Sequence, residues 1–160
     1  MKERLYRLKQ SLYRGGRPNW LAGVLNACSA AVHALGIAPN YLVTLEVGGR
    51  RSGRTISLPL VMAVVGGERY LVSMLGPDAN WVRNAKAAGG HVTLRHGRRE
   101  QVRLEEVPPN QRALILKAYL KRAPGARPHV AVDKDAPLSE FERVAAQYPV
   151  FRVVPDGAAA

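Results

Sequence analysis

The chain has 160 residues, 47% of them apolar, enough for one domain with a core, and this excludes disorder as the default reading. Lys and Arg number 24 against 12 Asp and Glu, giving a formal charge of +12, so the expected partners are anionic: nucleic acid, an anionic membrane face, or a small molecule bearing phosphate or carboxylate. The single cysteine, Cys28, excludes an intramolecular disulfide and fits a reducing cytoplasm, the expected location.

Met1–Arg17 reads as a basic amphipathic helix. Leu5, Leu8 and Leu12 recur at helical spacing, with Lys2, Arg4, Arg7, Lys9 and Arg14 mostly on other faces. Gly15-Gly16 ends it, and Pro18 opens a second helix to about Leu35, stopped by Gly36 and Pro39. Trp20–Ala38 is largely apolar but interrupted by Asn26, Ser29 and His33, and its roughly 19 residues barely reach the ~20 that span hydrocarbon. It is read as helix packed on the domain or resting on a membrane surface. The basic first helix is then a peripheral contact for an anionic bilayer or for the acidic part of a ligand. Residues 1–38 are therefore expected to form a helical extension.

From Tyr41 the period changes. Tyr41–Val47 reads as a strand; Ile56, Leu58, Leu60, Met62 and Val64 alternate along a second, longer one. Gly66-Gly67 turns into a third, Arg69–Met74. Asn80–Ala88 reads as a short helix closed by Gly89-Gly90, and His91–His96 with Glu100–Val107 as a hairpin. Gln111–Lys121 has a helical stripe of Leu114, Ile115, Ala118 and Tyr119. A Pro-rich loop, a helix at Leu138–Ala146 and a strand at Val150–Val154 complete the pattern. Consecutive strands with few long crossovers imply antiparallel pairing, and a sheet of this size protects its edges by closing into a small barrel. The expected class is mainly β (α+β): about six antiparallel strands over 39–154, with peripheral helices and a flexible tail at 155–160.

Between the first two strands lies Gly48-Gly49-Arg50-Arg51-Ser52-Gly53-Arg54. A hairpin that only had to turn would be served by Asn-Gly or Asp-Gly. Three arginines on a glycine-rich turn instead form a receptor for a multiply charged anion, because the guanidinium fork matches phosphate and flexible glycines let backbone N–H groups converge. Pro59 interrupts the next strand and so belongs at an edge or a bulge. There, unpaired backbone beside Ser57, Leu58 and Pro59 would suit a flat heterocycle; protection of a sheet edge is the plainer alternative. Met74-Leu75-Gly76 leads to a helix on which Trp81 and Asn84 share a face, with Trp81 readable equally as a core anchor. His91 and His96 are five apart on a strand, face opposite sides and make a poor metal pair, so no metal is expected. Arg95, Arg98 and Arg99 would attract nucleic acid, but aromatics are only 6% and offer no stacking platform, leaving a basic nucleic-acid-binding barrel as a distant alternative.

With its Arg-Arg-Ser-Gly-Arg turn, Pro59 strand and Trp-x-x-Asn helix, the segment from Ala34 to Val154 resembles the deazaflavin-dependent nitroreductase family of flavin/deazaflavin oxidoreductases. The resemblance implies a split β-barrel and reduced coenzyme F-420 as hydride donor to a small electron-poor acceptor: a quinone, an activated alkene or a nitroarene. It further implies that Arg50, Arg51, Ser52, Gly53 and Arg54 hold the phosphate. Ser57, Leu58 and Pro59 would line the ring, and Met74, Leu75 and Gly76 would form the opposing loop. Trp81 and Asn84 complete the candidate cofactor site. Relatives often carry a Ser-Lys-Gly-like loop where this chain has Met74-Leu75-Gly76, and a tyrosine-rich C-terminal segment where it has the widely spaced Tyr119, His129 and Tyr148. The coenzyme carries the hard chemistry, so the protein needs little acid–base machinery. Protonation of the product comes from solvent or from a hydroxyl, for which Tyr119 is the candidate; packing is its alternative role. FMN in the same barrel, or a non-catalytic deazaflavin carrier, are the alternatives. A homodimer is left open, as many split barrels pair through their sheets.

Overall fold

The computed structural model describes residues 41–157, so the N-terminal helices expected over 1–38 lie outside the described residues. Six strands are formed: β1 (Leu42–Gly48), β2 (Thr55–Val65), β3 (Glu68–Val72), β4 (His91–His96), β5 (Arg98–Glu106) and β6 (Val150–Pro155). All are antiparallel, and they close into a barrel in the order β1-β2-β3-β6-β5-β4. Three helices accompany them: α1 (Asn80–Ala87), α2 (Ala113–Arg122) and α3 (Leu138–Val144). The elements expected from Tyr41 onward are thus all present, with ends displaced by a residue or two. Asp156 remains tied beyond the last strand, its N–H donating to the Gln101 carbonyl at 3.0 Å and its carboxylate lying 2.9 Å from His91 Nδ1.

Alternation along each strand sends one set of side chains inward. Val43, Leu45 and Val47 of β1 meet Met62, Leu71, Leu94, Val102, Leu104, Phe151 and Val153 inside the barrel. Helix α1 adds Trp81, Val82 and Ala85 to this cluster, and the Trp81 ring meets Phe151 edge-on at 5.6 Å. The opposite faces form a second core. Ala63, Val72 and Val150, pointing outward, pack against Leu116, Tyr119 and Leu120 of α2 and Phe141 of α3. A fully buried Leu or Phe contributes about 1.5–3 kcal/mol by leaving water, so two cores rather than one hold this small domain together.

The turn after α1 is set by a close approach. Gly90 has φ +86, and a Cβ there would stand 2.6 Å from the Leu104 carbonyl oxygen. Gly90→Ala is expected to destabilise the domain by about 2 kcal/mol, through left-handed strain and a displaced β5; urea unfolding measures it.

Long β2 leaves one edge of the sheet open. Among the described residues its first part, Thr55–Val61, pairs with β1 alone, and its second part, Met62–Val65, with β3 alone. Pro59, opposite Thr44, falls in the half paired on one side, where a strand proline is tolerated.

Candidate functional site

The basic turn is a closed loop. Gly49 N–H donates to the Arg54 carbonyl and Gly53 N–H to the Gly49 carbonyl, both at 2.8 Å. Two glycines are required here for different reasons. Gly53 has φ +68, and a Cβ on Gly49 would stand 2.7 Å from Ser52 Oγ and 3.3 Å from the Arg54 carbonyl. Ser52 Oγ accepts the Arg54 N–H at 3.3 Å, so it works within the loop.

The three arginines divide into two roles. The Arg50 guanidinium and its backbone N–H both donate to Asn84 Oδ1, at 2.8 and 3.2 Å. Asn84 is 2% exposed, so this pair clamps the turn onto α1 from beneath. Arg51 and Arg54 are exposed, and their side chains have no hydrogen bond or ion pair with any described residue. Two unpaired cations therefore stand on a turn stiffened by the third.

A groove of about 520 Å³ runs along the open half of β2. It is lined by Leu58, Pro59, Leu60 and Val61 of β2, by Met74, Leu75 and Trp81, and by Tyr119, Arg122 and the Ala123–Ala126 loop. Leu58 to Leu60 are half-buried, whereas Thr55 to Ser57 are exposed. Five residues of extended strand, about 17 Å, separate Arg54 from Pro59, the span of an elongated ligand with a phosphate at one end. Helix α1 joins the two regions. Its Trp81 lines the groove while Asn84, one turn on, holds Arg50.

The residues singled out from the sequence divide between the turn with its clamp (Arg50, Arg51, Ser52, Gly53, Arg54 and Asn84) and the groove, with two exceptions that belong to neither. Leu58, Pro59, Met74, Leu75, Trp81 and Tyr119 line the groove; Ser57 and Gly76 do not. Ser57 is on the exposed stretch of β2 leading to it. Gly76 is turned inward: its carbonyl accepts from Ser73 Oγ at 2.6 Å, and a Cβ would lie 3.5 Å from the Gln147 carbonyl. With φ +85 it shapes the loop that presents Met74 and Leu75. Trp81 belongs to the barrel-interior cluster and also lines the groove.

Tyr119 is 5% exposed, and burial pushes its hydroxyl well above the usual tyrosine range. It therefore keeps its proton at any physiological pH and can donate a hydrogen bond, while being a poor acid. Tyr148 serves structure instead. Its hydroxyl accepts the Ala131 N–H at 3.0 Å and donates to the His129 carbonyl at 3.1 Å, fastening the loop before α3.

The sequence reasoning did not find Tyr41, Arg122 or Ala123-Pro124-Gly125-Ala126. The Arg122 guanidinium lies 5.5 Å from the Tyr41 ring centroid, a cation–π contact that closes the groove between the start of β1 and the end of α2. Nothing in local pattern joins residues so far apart. Pro124-Gly125 after a helix was the only available cue, and it marks a turn rather than a wall.

No protein-family model and no curated protein matches this chain by sequence. Solved structures match it by fold. An F420-H2 dependent reductase (FDR-A) is 21% identical, with 71% of this chain and 94% of that chain covered, at a TM-score of 0.48. A structure described as a domain-swapped dimer is 20% identical over 81% of this chain and 90% of that one, at 0.51. A protein of unknown function from Agrobacterium tumefaciens str. C58 is 12% identical at 0.55, covering 82% of this chain and 55% of that chain. The closed antiparallel barrel, with the likenesses at TM-scores of 0.51 and 0.55, shows the split-barrel fold that the resemblance implied.

Proposed function

We propose that this chain is an oxidoreductase that uses reduced coenzyme F-420 to pass a hydride to a small electron-poor acceptor: a quinone, an activated alkene or a nitroarene. The observation that carries the reading is the conjunction of Arg51 and Arg54, two cations unpaired among the described residues, with an apolar groove along a strand edge that no second described strand covers. The residues present fit a phosphorylated, flat redox molecule. Arginine forks suit its phosphate, apolar walls suit its ring, and an open strand edge offers N–H and C=O groups to a heterocycle.

When bound, the coenzyme would supply the hydride. The chain's own residues bind, orient and exclude water. Arg51 and Arg54 hold the phosphate, with Arg50, Ser52 and Gly53 keeping the turn in shape. Leu58 and Pro59 would line the ring, with Ser57 on the exposed stretch of strand leading to it, and Met74, Leu75 and Trp81 would help exclude water from the groove. Gly76 and Asn84 act one step back, holding that loop and turn in position. Tyr119 donates a hydrogen bond from the groove wall toward the acceptor, so product protonation falls to solvent.

Fluorescence titration with F-420 and with FMN tests the cofactor, and turnover with menadione tests catalysis. F-420 binding with menadione reduction is expected. FMN binding alone would make the chain a flavin-binding split barrel, and F-420 binding without turnover a carrier. Salt-dependent retention of DNA with neither cofactor bound would make it a nucleic-acid-binding barrel. Tyr119→Phe is expected to lower kcat about 2–10-fold, the scale of one neutral hydrogen bond, with F-420 affinity unchanged. Steady-state assays with menadione read this directly. A homodimer in the cytoplasm completes the proposal, and sedimentation equilibrium decides it.

A further inference from the structure

Outside this groove, the barrel has a second cavity that the proposed reaction does not use. It holds about 410 Å³ and lies at the mouth formed by the start of β1, the β2–β3 turn and the β4–β5 turn. Its floor is apolar: Val43, Met62 and Leu94. Its rim is charged. Leu71, Leu94 and Val102 point into the barrel, so Arg69, His96, Arg98 and Glu100, two or four residues along the same strands, share that inward face.

The charges are only partly matched. Arg69 and Glu100 form a two-pronged pair at 2.8 and 2.7 Å. Their strands, β3 and β5, are separated by β6, so this pair straps the mouth rather than a ladder. The Arg69 guanidinium holds the Glu100 carboxyl below its usual range. Arg95 and Arg99 both reach Glu46, at 2.8 and 3.3 Å, and the buried Nε of Arg95 has no partner among the described residues. Arg98 makes no hydrogen bond or close ion pair with any described residue, though its charge also helps to hold the Glu100 carboxyl down. Four arginines line the cavity against Glu100 and the nearby Glu46, which leaves a surplus of two positive charges.

From this arrangement we infer that the barrel mouth is a binding site for a small organic dianion with an apolar body, of which a phosphate monoester is the fitting case. A phosphate monoester carries close to two negative charges at neutral pH and presents oxygens to several guanidiniums at once. Its body rests on Val43, Met62 and Leu94. The site is separate from the basic turn, since Val43 and Gly48 stand at opposite ends of β1, about 17 Å apart. It also stands independently of the coenzyme assignment.

Phenyl phosphate is the probe, with backbone amide NMR as the readout. Saturable shifts at Leu94, Arg98 and Glu100 are expected, with a Kd of about 1 mM or tighter. Arg98→Gln, an exposed change that leaves both cores intact, is expected to weaken binding about tenfold or more. Arg51→Ala/Arg54→Ala is expected to leave it within about twofold, and inorganic phosphate, lacking the apolar body, to bind about tenfold more weakly. The inference is overturned by absence of saturation at about 10 mM, by unchanged affinity in Arg98→Gln, by loss in the basic-turn variant instead, or by equal affinity for inorganic phosphate.

Discussion

The double variant Arg51→Ala/Arg54→Ala is expected to abolish measurable F-420 binding at micromolar coenzyme while leaving the urea midpoint where it was. Each guanidinium contributes about 1.5–3 kcal/mol through charge-assisted hydrogen bonds to a phosphate, so each single variant weakens binding about 10–150-fold. The fold is spared for a structural reason. Both side chains are exposed, and the loop is closed by backbone bonds from Gly49 and Gly53 and by the Arg50–Asn84 clamp. Fluorescence titration checks the affinity and unfolding checks the fold. Unchanged affinity in both single variants would remove the phosphate from this turn, and with it the proposed function.

Arg112→Ala is expected to be the most damaging single change to stability, at about 3–5 kcal/mol. Arg112 is 4% exposed and stands just before α2. Its Nε donates to the Val107 carbonyl at 2.7 Å, one terminal nitrogen to the Ala145 and Tyr148 carbonyls at 3.2 and 3.3 Å, and the other to Glu106 at 3.2 Å. Alanine would orphan buried carbonyls on both sides of the junction between β5, α2 and the segment leading into β6. Lysine cannot restore them, because three separate directions need a planar, branched donor. Urea unfolding should place Arg112→Lys between wild type and Arg112→Ala. Near-equality of Arg112→Lys with wild type would show that charge, not geometry, holds this junction.

Local periodicity made most of the fold legible. Alternating Ile56, Leu58, Leu60, Met62 and Val64 could only be a long strand, and its two faces do serve two different neighbours, the barrel interior and α2. The basic turn was legible because three arginines in seven residues exceed what a hairpin needs. Pro59 announced an edge because proline lacks the N–H that an interior ladder position requires. Arg112 was silent. One arginine among many gives no local sign that folding will bury it among three carbonyls.

Chain chemistry alone therefore determined the strands, their antiparallel closure, the arginine-rich turn and the edge beside it, since these depend on side-chain period and backbone capacity within a few residues. Tertiary structure decided the rest. It turned Gly76 inward, gave Arg50 to Asn84 while leaving Arg51 and Arg54 unpaired among the described residues, set Tyr41 against Arg122 across a groove, and gathered Arg69, Arg98 and Glu100 at one barrel mouth. Which charges meet depends on barrel closure between distant strands, and no short stretch of sequence encodes that encounter.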